Sequence, residues 1–220
     1  MSGPTSQRTQ VNRLRELQQT DRAALDEVLD AGNVAHVAVV DGEQPYALPM
    51  AYVRDDDRLL LHGSTGSRLM RLLAEGAPAC ATVTLYDGLV VARSAFESSM
   101  HYRSAMVLGR CQAASDPLDA LRCLTDGLLP GRWAEVRPTT GKELAGTLVV
   151  ELPIDEWSVK VSGDDPEDPP QDVALDIWAG VLPASTVYGA PRPSHDLRAG
   201  IPIPPSVRSF LARVAEDNAG

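Results

Sequence analysis

Short apolar segments with strand periodicity dominate the first half of the chain, and they constrain its fold more than any other feature. Alternation of apolar and polar residues predicts strands at 34–40, 46–54, 58–62, 79–86 and 102–113. The dipeptides Asp41-Gly42 and Asp87-Gly88 are typical of hairpin turns, and the second predicts a return strand at 89–93. Strands joined by such short turns pair with their sequence neighbours, which favours an antiparallel barrel over a parallel sheet.

Helices interrupt these strands at a few places. Apolar spacing and capping residues predict helices at 11–17, 21–30, 67–75 and 116–128, a helical turn at 139–144 and a closing helix at 206–214. Further strands are expected at 147–152, 157–161 and 177–182. The acidic segment 163–172 is expected to be a solvated loop, and the proline-rich segment 190–205 to run extended over the surface or over a partner subunit.

Composition excludes several classes of protein. With 220 residues, 44% of them hydrophobic, the chain can build one sizeable core. A formal net charge of -10 disfavours nucleic-acid binding and adhesion to anionic membranes. No apolar run reaches the roughly 20 residues that span a bilayer, and the N-terminus lacks a signal-peptide core. The three cysteines are widely spaced and are expected to be free buried thiols, so we expect a cytoplasmic protein.

The segment from Leu59 to Leu73 combines an apolar strand, a Gly/Ser loop and a helix start. Backbone N–H groups without partners and a partial positive charge make a helix start suitable for binding a phosphate. Glycines allow close approach, while hydroxyls and one arginine supply donors: Gly63, Ser64, Thr65, Gly66, Ser67 and Arg68. The alternative is that a serine only caps the helix. The loop matches no strict phosphate-binding signature.

Histidine and aromatic residues offer further candidates. His62 lies at the strand end, where it could donate to a phosphate, ligate a haem iron, or bond to the backbone of the turn. His36 shares an alternating face with apolar residues and is expected to be a satisfied, partly buried side chain. Trp178 is expected to pack in the core. His101 could approach a cofactor from a partner subunit. Arg103 could clamp an anionic substrate or a phosphate, or be solvated at the surface. No Ser/His/Asp, Cys/His or paired-carboxylate set stands out, so no catalytic residue is assigned.

The ordered motifs resemble the flavin-nucleotide-binding split barrels related to pyridoxamine 5′-phosphate oxidase, and most of all the nitroimidazole-resistance branch. The resemblance extends from about Arg13 to Pro204. Its motifs are Gly42-x-x-Pro45-x-x-x-Pro49-Met50-Ala51-Tyr52, Leu61-His62-Gly63-Ser64-x-x-Ser67-Arg68, Asp87-Gly88-Leu89-Val90-Val91-Ala92-Arg93, His101-Tyr102-Arg103-Ser104, Leu108-Gly109-Arg110, Pro130-Gly131-Arg132-Trp133, Glu143-Leu144, Ser158-Val159-Lys160 and Trp178-Ala179-Gly180-Val181-Leu182-Pro183.

This resemblance implies a mainly β fold with helical additions, a six-stranded antiparallel split β-barrel that forms a homodimer with FMN at the subunit interface. It divides the chain into a disordered tail (1–12), the barrel domain (13–189) and a proline-rich extension (190–220) that packs on the barrel or on the dimer partner. The phosphate would lie in the 62–68 loop and the flavin ring along strand 48–52. The implied cofactor-binding residues are Leu48, Pro49, Met50, Ala51, Tyr52, His62, Gly63, Ser64, Ser67, Arg68 and Arg103.

The function that the resemblance implies is an FMN-dependent oxidoreductase that reduces a small substrate, with nitroaromatic compounds among the candidates. Three alternatives stay open: a haem-binding protein on the same barrel, a deazaflavin-dependent reductase, and a flavin-binding protein without turnover. No metal site is expected unless His62 binds haem iron. Pyridoxamine phosphate oxidase activity is not expected, because the phosphate loop lacks the lysine of that enzyme and has Leu69 next to Arg68.

Overall fold

A computed structural model describes residues 6–217 and shows one antiparallel sheet with helices at its ends and on its outer face. The strands are β1 Gln18–Gln19, β2 Val34–Asp41, β3 Gln44–Asp55, β4 Arg58–Ser64, β5 Pro78–Val91, β6 Ser99–Arg110, β7 Gln112–Ala113, β8 Thr147–Pro153, β9 Glu156–Ser162 and β10 Gly180–Pro183. Their order is β1-β9-β6-β5-β2-β3-β4-β8-β7, and β10 pairs with β5. The helices are α1 Arg22–Ala31, α2 Arg68–Ala74, α3 Pro117–Leu128, α4 Gly141–Ala145, α5 Pro170–Val173 and α6 Pro205–Asp217.

The helices begin at the residues that the sequence indicated. Asp21 caps α1 by accepting a hydrogen bond from Ala24 N–H, and Gly32 ends the helix. Ser67 caps α2 in the same way, through Met70 N–H. Asp116 accepts from two N–H groups at the start of α3. These caps satisfy N–H groups that have no partner inside the helix, and each contributes about 1 kcal/mol to stability.

Alternation along the strands creates two apolar layers. The inner faces of the long strands enclose the main core, whose largest fully buried side chains include Tyr52 and Trp157. A smaller cluster lies on the outer face, where α3 packs on β4 and β8; it contains Leu60, Ala114, Ala120, Leu124 and Val149. β4 therefore has apolar residues on both faces, with Leu59 and Leu61 pointing inward and Leu60 outward.

Strand β3 changes partner halfway along its length. Its first part, 44–51, pairs with β2, in a register that matches His36 with Pro49. Its last part, 52–55, pairs with β4, and this second ladder ends at Tyr52 and Leu61. Beyond that pair, β4 leaves β3 and continues alongside β8. The sheet is therefore split between β3 and β4, and the split lies next to the loop that begins at His62.

The structure confirms a mainly β antiparallel fold with added helices, and it differs from a closed six-stranded barrel. Ten strands are present in residues 6–217, and no ladder joins the two ends of the sheet. The sheet instead curls until β6 approaches β8: a Cβ added at Gly109 would lie 3.0 Å from Leu152 Cδ1. The core is enclosed by side-chain packing at this seam.

The expected hairpin at Asp87-Gly88 is wrong, because β5 continues through these residues as one strand with an irregularity between Tyr86 and Gly88. Tertiary contacts explain the difference. The guanidinium of Arg103 donates two 3.0 Å hydrogen bonds to Asp87, and Ala184 N–H donates to the Asp87 carbonyl. Strand β10 pairs with β5 from Gly88 to Val91. The two residues that favour a turn locally therefore lie in a β-bulge within one strand.

The N-terminal expectations also need correction. Residues 1–5 lie outside the described part of the chain, but the rest of the expected disordered tail is ordered in part. A 3-10 turn at Gln7–Thr9 buries Thr9, and Arg8 pairs with Glu156. The helix expected at 11–17 is reduced to a 3-10 turn at Arg15–Leu17, preceded by Leu14 in a left-handed conformation. This conformation interrupts the helical path.

The C-terminal third departs most from expectation. The acidic segment 163–172 is mostly exposed, but the side chain of Asp168 is buried and accepts hydrogen bonds from the backbone and the side chain of Arg93. Trp178 is 63% exposed, so its expected place in the core is wrong. Its ring lies over Gly180, where a Cβ would approach it to 3.0 Å. The strand expected at 177–182 forms only over Gly180–Pro183.

The C-terminal helix α6 is fastened to the same chain. Ser206, at its start, donates hydrogen bonds to the Glu135 carboxylate through both its N–H and its hydroxyl. Tyr188 accepts a hydrogen bond from Asn33 and stacks edge-to-face on Phe210. Within residues 6–217, no helix is long and apolar enough to cross a membrane.

Candidate functional site

The split between β3 and β4 leaves backbone groups without a strand partner. Asp41 and Gln44 close a two-residue turn, so this pair exchanges both of its hydrogen bonds. Every second residue from Gln44 therefore directs its N–H and C=O toward β2. The intervening residues, Pro45, Ala47, Pro49 and Ala51, direct theirs into the split, where no strand of residues 6–217 pairs with them. Because proline has no N–H, the N–H donors at this edge belong to Ala47 and Ala51.

The strand predicted to carry a flavin ring is accessible along this edge. Leu48, Pro49 and Ala51 are exposed, and Met50 is half-buried against the core. Tyr52 differs: its side chain is buried and its hydroxyl donates a 2.6 Å hydrogen bond to the Leu29 carbonyl. Burial raises the pKa of Tyr52 well above its usual range. A cofactor could reach only its backbone, so the side chain belongs to the core.

His62 lies at the mouth of the split. It is matched with Val149 on β8, which places it on the outer face, one step beyond the outward-facing Leu60. Its imidazole is exposed and makes no hydrogen bond within residues 6–217. The alternative that it bonds to the turn backbone therefore does not hold. An unbonded imidazole beside an apolar cluster is available to a ligand or a metal ion.

The loop after His62 is less open to a phosphate than its sequence suggests. Thr65 N–H donates to the Gly146 carbonyl, and the N–H groups of Gly66 and Ser67 donate to the hydroxyl and carbonyl of Ser64. Gly63 has a packing role, since a Cβ there would lie 2.7 Å from Met70 Cγ. The loop N–H groups are thus used within the protein, and the hydroxyls and Arg68 remain as candidate donors.

The two arginines that were expected to hold cofactor lie in different surroundings. Arg68 is 65% exposed at its side chain and forms one 3.2 Å ion pair with Asp41. Such a surface pair is worth about 0–1 kcal/mol, so a phosphate could replace Asp41. Arg103 is held by Asp87 and also contacts Glu27 at 3.2 Å. Hydrogen bonds to Asp87, and further contacts with Glu27, raise the pKa of Arg103, and they join β6 to β5 and to the middle of α1.

The expectation that His36 is a satisfied, partly buried side chain is wrong. His36 is exposed, and its side chain makes no hydrogen bond to any other residue within 6–217. It lies on the outer face of β2, between Pro49 of β3 and Thr82 of β5. Alternation alone cannot say which face of a strand is outside. His101, in contrast, contacts the Asp164 carbonyl through Nε2 at 2.8 Å.

The antiparallel sheet split between β3 and β4 is the architecture of a split barrel, and comparison with known proteins gives its family. The sequence model of the family described as pyridoxamine 5′-phosphate oxidase matches residues 21–161. The chain therefore belongs to the pyridoxamine 5′-phosphate oxidase-related, flavin-binding split-barrel family. None of the curated proteins matches it significantly.

Solved structures extend this likeness over almost the whole chain. An FAD and haem binding protein from Mycobacterium smegmatis is 49% identical, with a TM-score of 0.85 over 88% of this chain and 96% of its own. The flavocytochrome Anf3 from Azotobacter vinelandii is 37% identical, with a TM-score of 0.89 over 95% and 98%. A candidate 5-nitroimidazole resistance protein from Bacteroides thetaiotaomicron shares the fold at 21% identity, with a TM-score of 0.55 over 66% and 86%.

Proposed function

We propose that this protein is an oxidoreductase that binds both a flavin and a haem. The observation that carries the proposal is the free imidazole of His62 at the mouth of the split, beside the unpaired edge of β3. The protein from M. smegmatis, described as binding FAD and haem, supports it at 49% identity. When bound, the flavin would accept and deliver hydride or electrons, and the haem would exchange single electrons.

For the flavin, the chain offers an apolar shelf with a few placed polar groups. The N–H of Ala51 and the carbonyl of Pro49 face the split, where they can pair with the polar edge of a flat ring. The hydroxyls of Ser64 and Thr65 and the guanidinium of Arg68 can bind a phosphate. The family resemblance implied FMN. We propose FAD, because the relative that is 49% identical is described as an FAD and haem binding protein.

For the haem, the chain offers the imidazole of His62, which would bind the iron. The residue is exposed and unbonded, and the outward-facing cluster under α3 supplies an apolar neighbourhood. Neutral imidazole is a common ligand of haem iron. Within residues 6–217, no group of three or more His, Cys, Asp or Glu side chains is arranged to hold another metal ion.

We also propose a homodimer formed through the outer face of the sheet. This face exposes apolar side chains that a monomer would leave in water, among them Val34 (49% exposed) and Val40 (58% exposed). A second copy would cover them and enclose the split. The physiological substrate is proposed to be a small oxidised molecule, with nitroaromatic compounds among the candidates, and the cytoplasmic location stays a prediction.

The test is an absorbance spectrum of the purified protein before and after addition of FAD, FMN or haem. We expect flavin bands and a Soret band that persist through gel filtration, and released flavin that elutes as FAD in chromatography. His62→Ala should abolish the Soret band, while His195→Ala, which alters an exposed histidine, should retain it. Absence of both flavin and haem spectra would contradict the proposal. Uptake of a deazaflavin, without flavin or haem, would support the alternative that the protein is a deazaflavin-dependent reductase.

A further inference from the structure

A cavity of about 500 Å³ lies at the edge of β3 that β2 leaves open. The ladder between β2 and β3 ends where Val34 is matched with Ala51, so no strand of residues 6–217 pairs with 52–54 on this side. The C-terminal ends of α1 and α3 and the helix α6 surround the space instead. We propose that this cavity binds a small organic carboxylate with an apolar ring. The inference is independent of the proposed flavin and haem binding, because the split lies on the opposite edge of β3.

The charged side chains of the cavity leave it with one uncompensated positive charge. Arg54 donates two hydrogen bonds to the Asp30 carboxylate, at 2.7 and 2.6 Å, so these two residues neutralise each other. Arg213 of α6 also lines the cavity, and none of the carboxylates that the structure describes pairs with it. Its guanidinium lies 5.5 Å from the centre of the Phe210 ring. A guanidinium without a carboxylate partner is suited to bind a carboxylate of a ligand.

A second hydrogen-bond donor lies on the same wall of the cavity. The hydroxyl oxygen of Tyr188 accepts a 3.3 Å hydrogen bond from Asn33, and its own hydrogen has no acceptor within residues 6–217. The Tyr188 ring packs edge-to-face on Phe210, with the ring centres 4.8 Å apart. Phe210 thus contacts both Tyr188 and Arg213, and it holds a hydroxyl donor and a guanidinium on one side of the cavity.

The remaining lining of the cavity is largely apolar, which indicates that the ligand has an apolar body. Its apolar side chains come from four different elements and segments, among them Leu29, Val53, Leu128, Pro130 and Val214. A small inorganic anion would leave these side chains in water, whereas a ring would cover them. The volume falls within the range of roughly 300–1,000 Å³ that is typical of small-molecule sites. The cavity therefore fits a ring that carries one carboxylate.

The experiment titrates the purified full chain, with any cofactor it carries, by isothermal titration calorimetry. The probes are 2-naphthoate and its neutral analogue 2-naphthamide. We expect one equivalent of 2-naphthoate to bind, and the amide to bind about tenfold more weakly because it lacks the charge. Arg213→Ala should weaken 2-naphthoate binding about tenfold and leave the amide unchanged. Arg208→Ala is the matched control, since it alters an exposed arginine of the same helix that does not line the cavity. Circular dichroism checks that each variant is folded.

Several outcomes would overturn the inference while leaving the proposed function intact. They are no heat of binding with about 1 mM 2-naphthoate, equal affinities for the acid and the amide, and an unchanged affinity in Arg213→Ala. Displacement of bound flavin or haem by 2-naphthoate, seen in the absorbance spectrum, would place the acid in the cofactor site and would also overturn it. A protein without flavin or haem spectra contradicts only the proposed function, because the titration needs neither cofactor.

Discussion

The side chains on the two faces of β3 and β4 differ in burial and in hydrogen bonding. On the inner face, Tyr52 is buried and its hydroxyl is bonded to the Leu29 carbonyl, and Leu61 is fully buried beside it. On the outer face, one residue away along the same strands, Ala51 and His62 are exposed, and the His62 imidazole is unbonded. The inner residues hold the fold together. The outer residues are available for binding. Variants of Leu61, Tyr52 and His62 test this division directly, and two further variants test the loop after His62 and the attachment of α6.

The largest effect is expected from the inner residue of β4. Leu61→Ala removes a fully buried side chain and leaves a cavity, so it should lower the free energy of unfolding by about 2–5 kcal/mol. Urea denaturation followed by circular dichroism measures this change. A loss below 1 kcal/mol would show that the inner face is not the packed layer described here.

The hydroxyl of Tyr52 is the second test of the inner face. Tyr52→Phe keeps the ring in the core and removes the donor to the Leu29 carbonyl. The unpaired carbonyl should cost about 1–3 kcal/mol of folding stability, and flavin affinity should remain unchanged. Denaturation and flavin titration are run on the same preparation. Weaker flavin binding with normal stability would place this side chain in the site instead.

Arg68, at the start of α2, tests the candidate phosphate site by affinity. Arg68→Ala should weaken flavin binding by about 1–3 kcal/mol if the guanidinium makes a charge-assisted phosphate bond. Fluorescence titration with FAD gives the dissociation constant. Arg71→Ala, an exposed arginine on the same helix, is the matched control. Equal dissociation constants for the wild type and Arg68→Ala would remove Arg68 from the site.

His62 should matter for binding and not for stability. His62→Ala changes an exposed side chain without hydrogen bonds, so stability should stay within about 0.5 kcal/mol of the wild type. Leu61 is the neighbouring residue on β4, so the difference in stability loss between Leu61→Ala and His62→Ala compares the two faces most directly. Stability is measured on the protein without cofactor. Losses of similar size in both variants would show that the two faces are not functionally distinct.

The smallest effect on stability is expected at the contact between Glu135 and Ser206, which holds the start of α6. Hydrogen bonds from Ser206, followed by the contact with Arg132, lower the pKa of Glu135 below its usual range. A carboxyl whose pKa is lower in the folded state stabilises the fold above its unfolded pKa, and this contribution is lost as pH falls through the folded pKa. The protection factors of the α6 amide groups, corrected for the intrinsic exchange rate at each pH, should therefore fall in acid, and should fall less in Glu135→Gln. Glu43→Gln, in an exposed turn, is the control.

Local sequence signals predicted most elements, and tertiary contacts account for the failures. The caps at Asp21, Ser67 and Asp116 act within one turn of their own helix, so they could be read directly. The bulge at Asp87-Gly88 depends on Arg103 and β10, which lie far along the chain. The same limit applies to the site. His62 was proposed as a candidate from its position before the loop, whereas the exposure of His36 depends on which face of β2 lies outside.

The unpaired edge of β3 has a consequence for how the protein matures in the cell. An exposed strand edge is a template for pairing with other chains, and prolines protect it only in part. Pro45 and Pro49 block two donors, while Ala47 and Ala51 still present theirs. A bound cofactor would occupy the same groups. Newly made chains that wait for their cofactor would then be the most prone to aggregate, so prompt loading would protect solubility as well as provide activity.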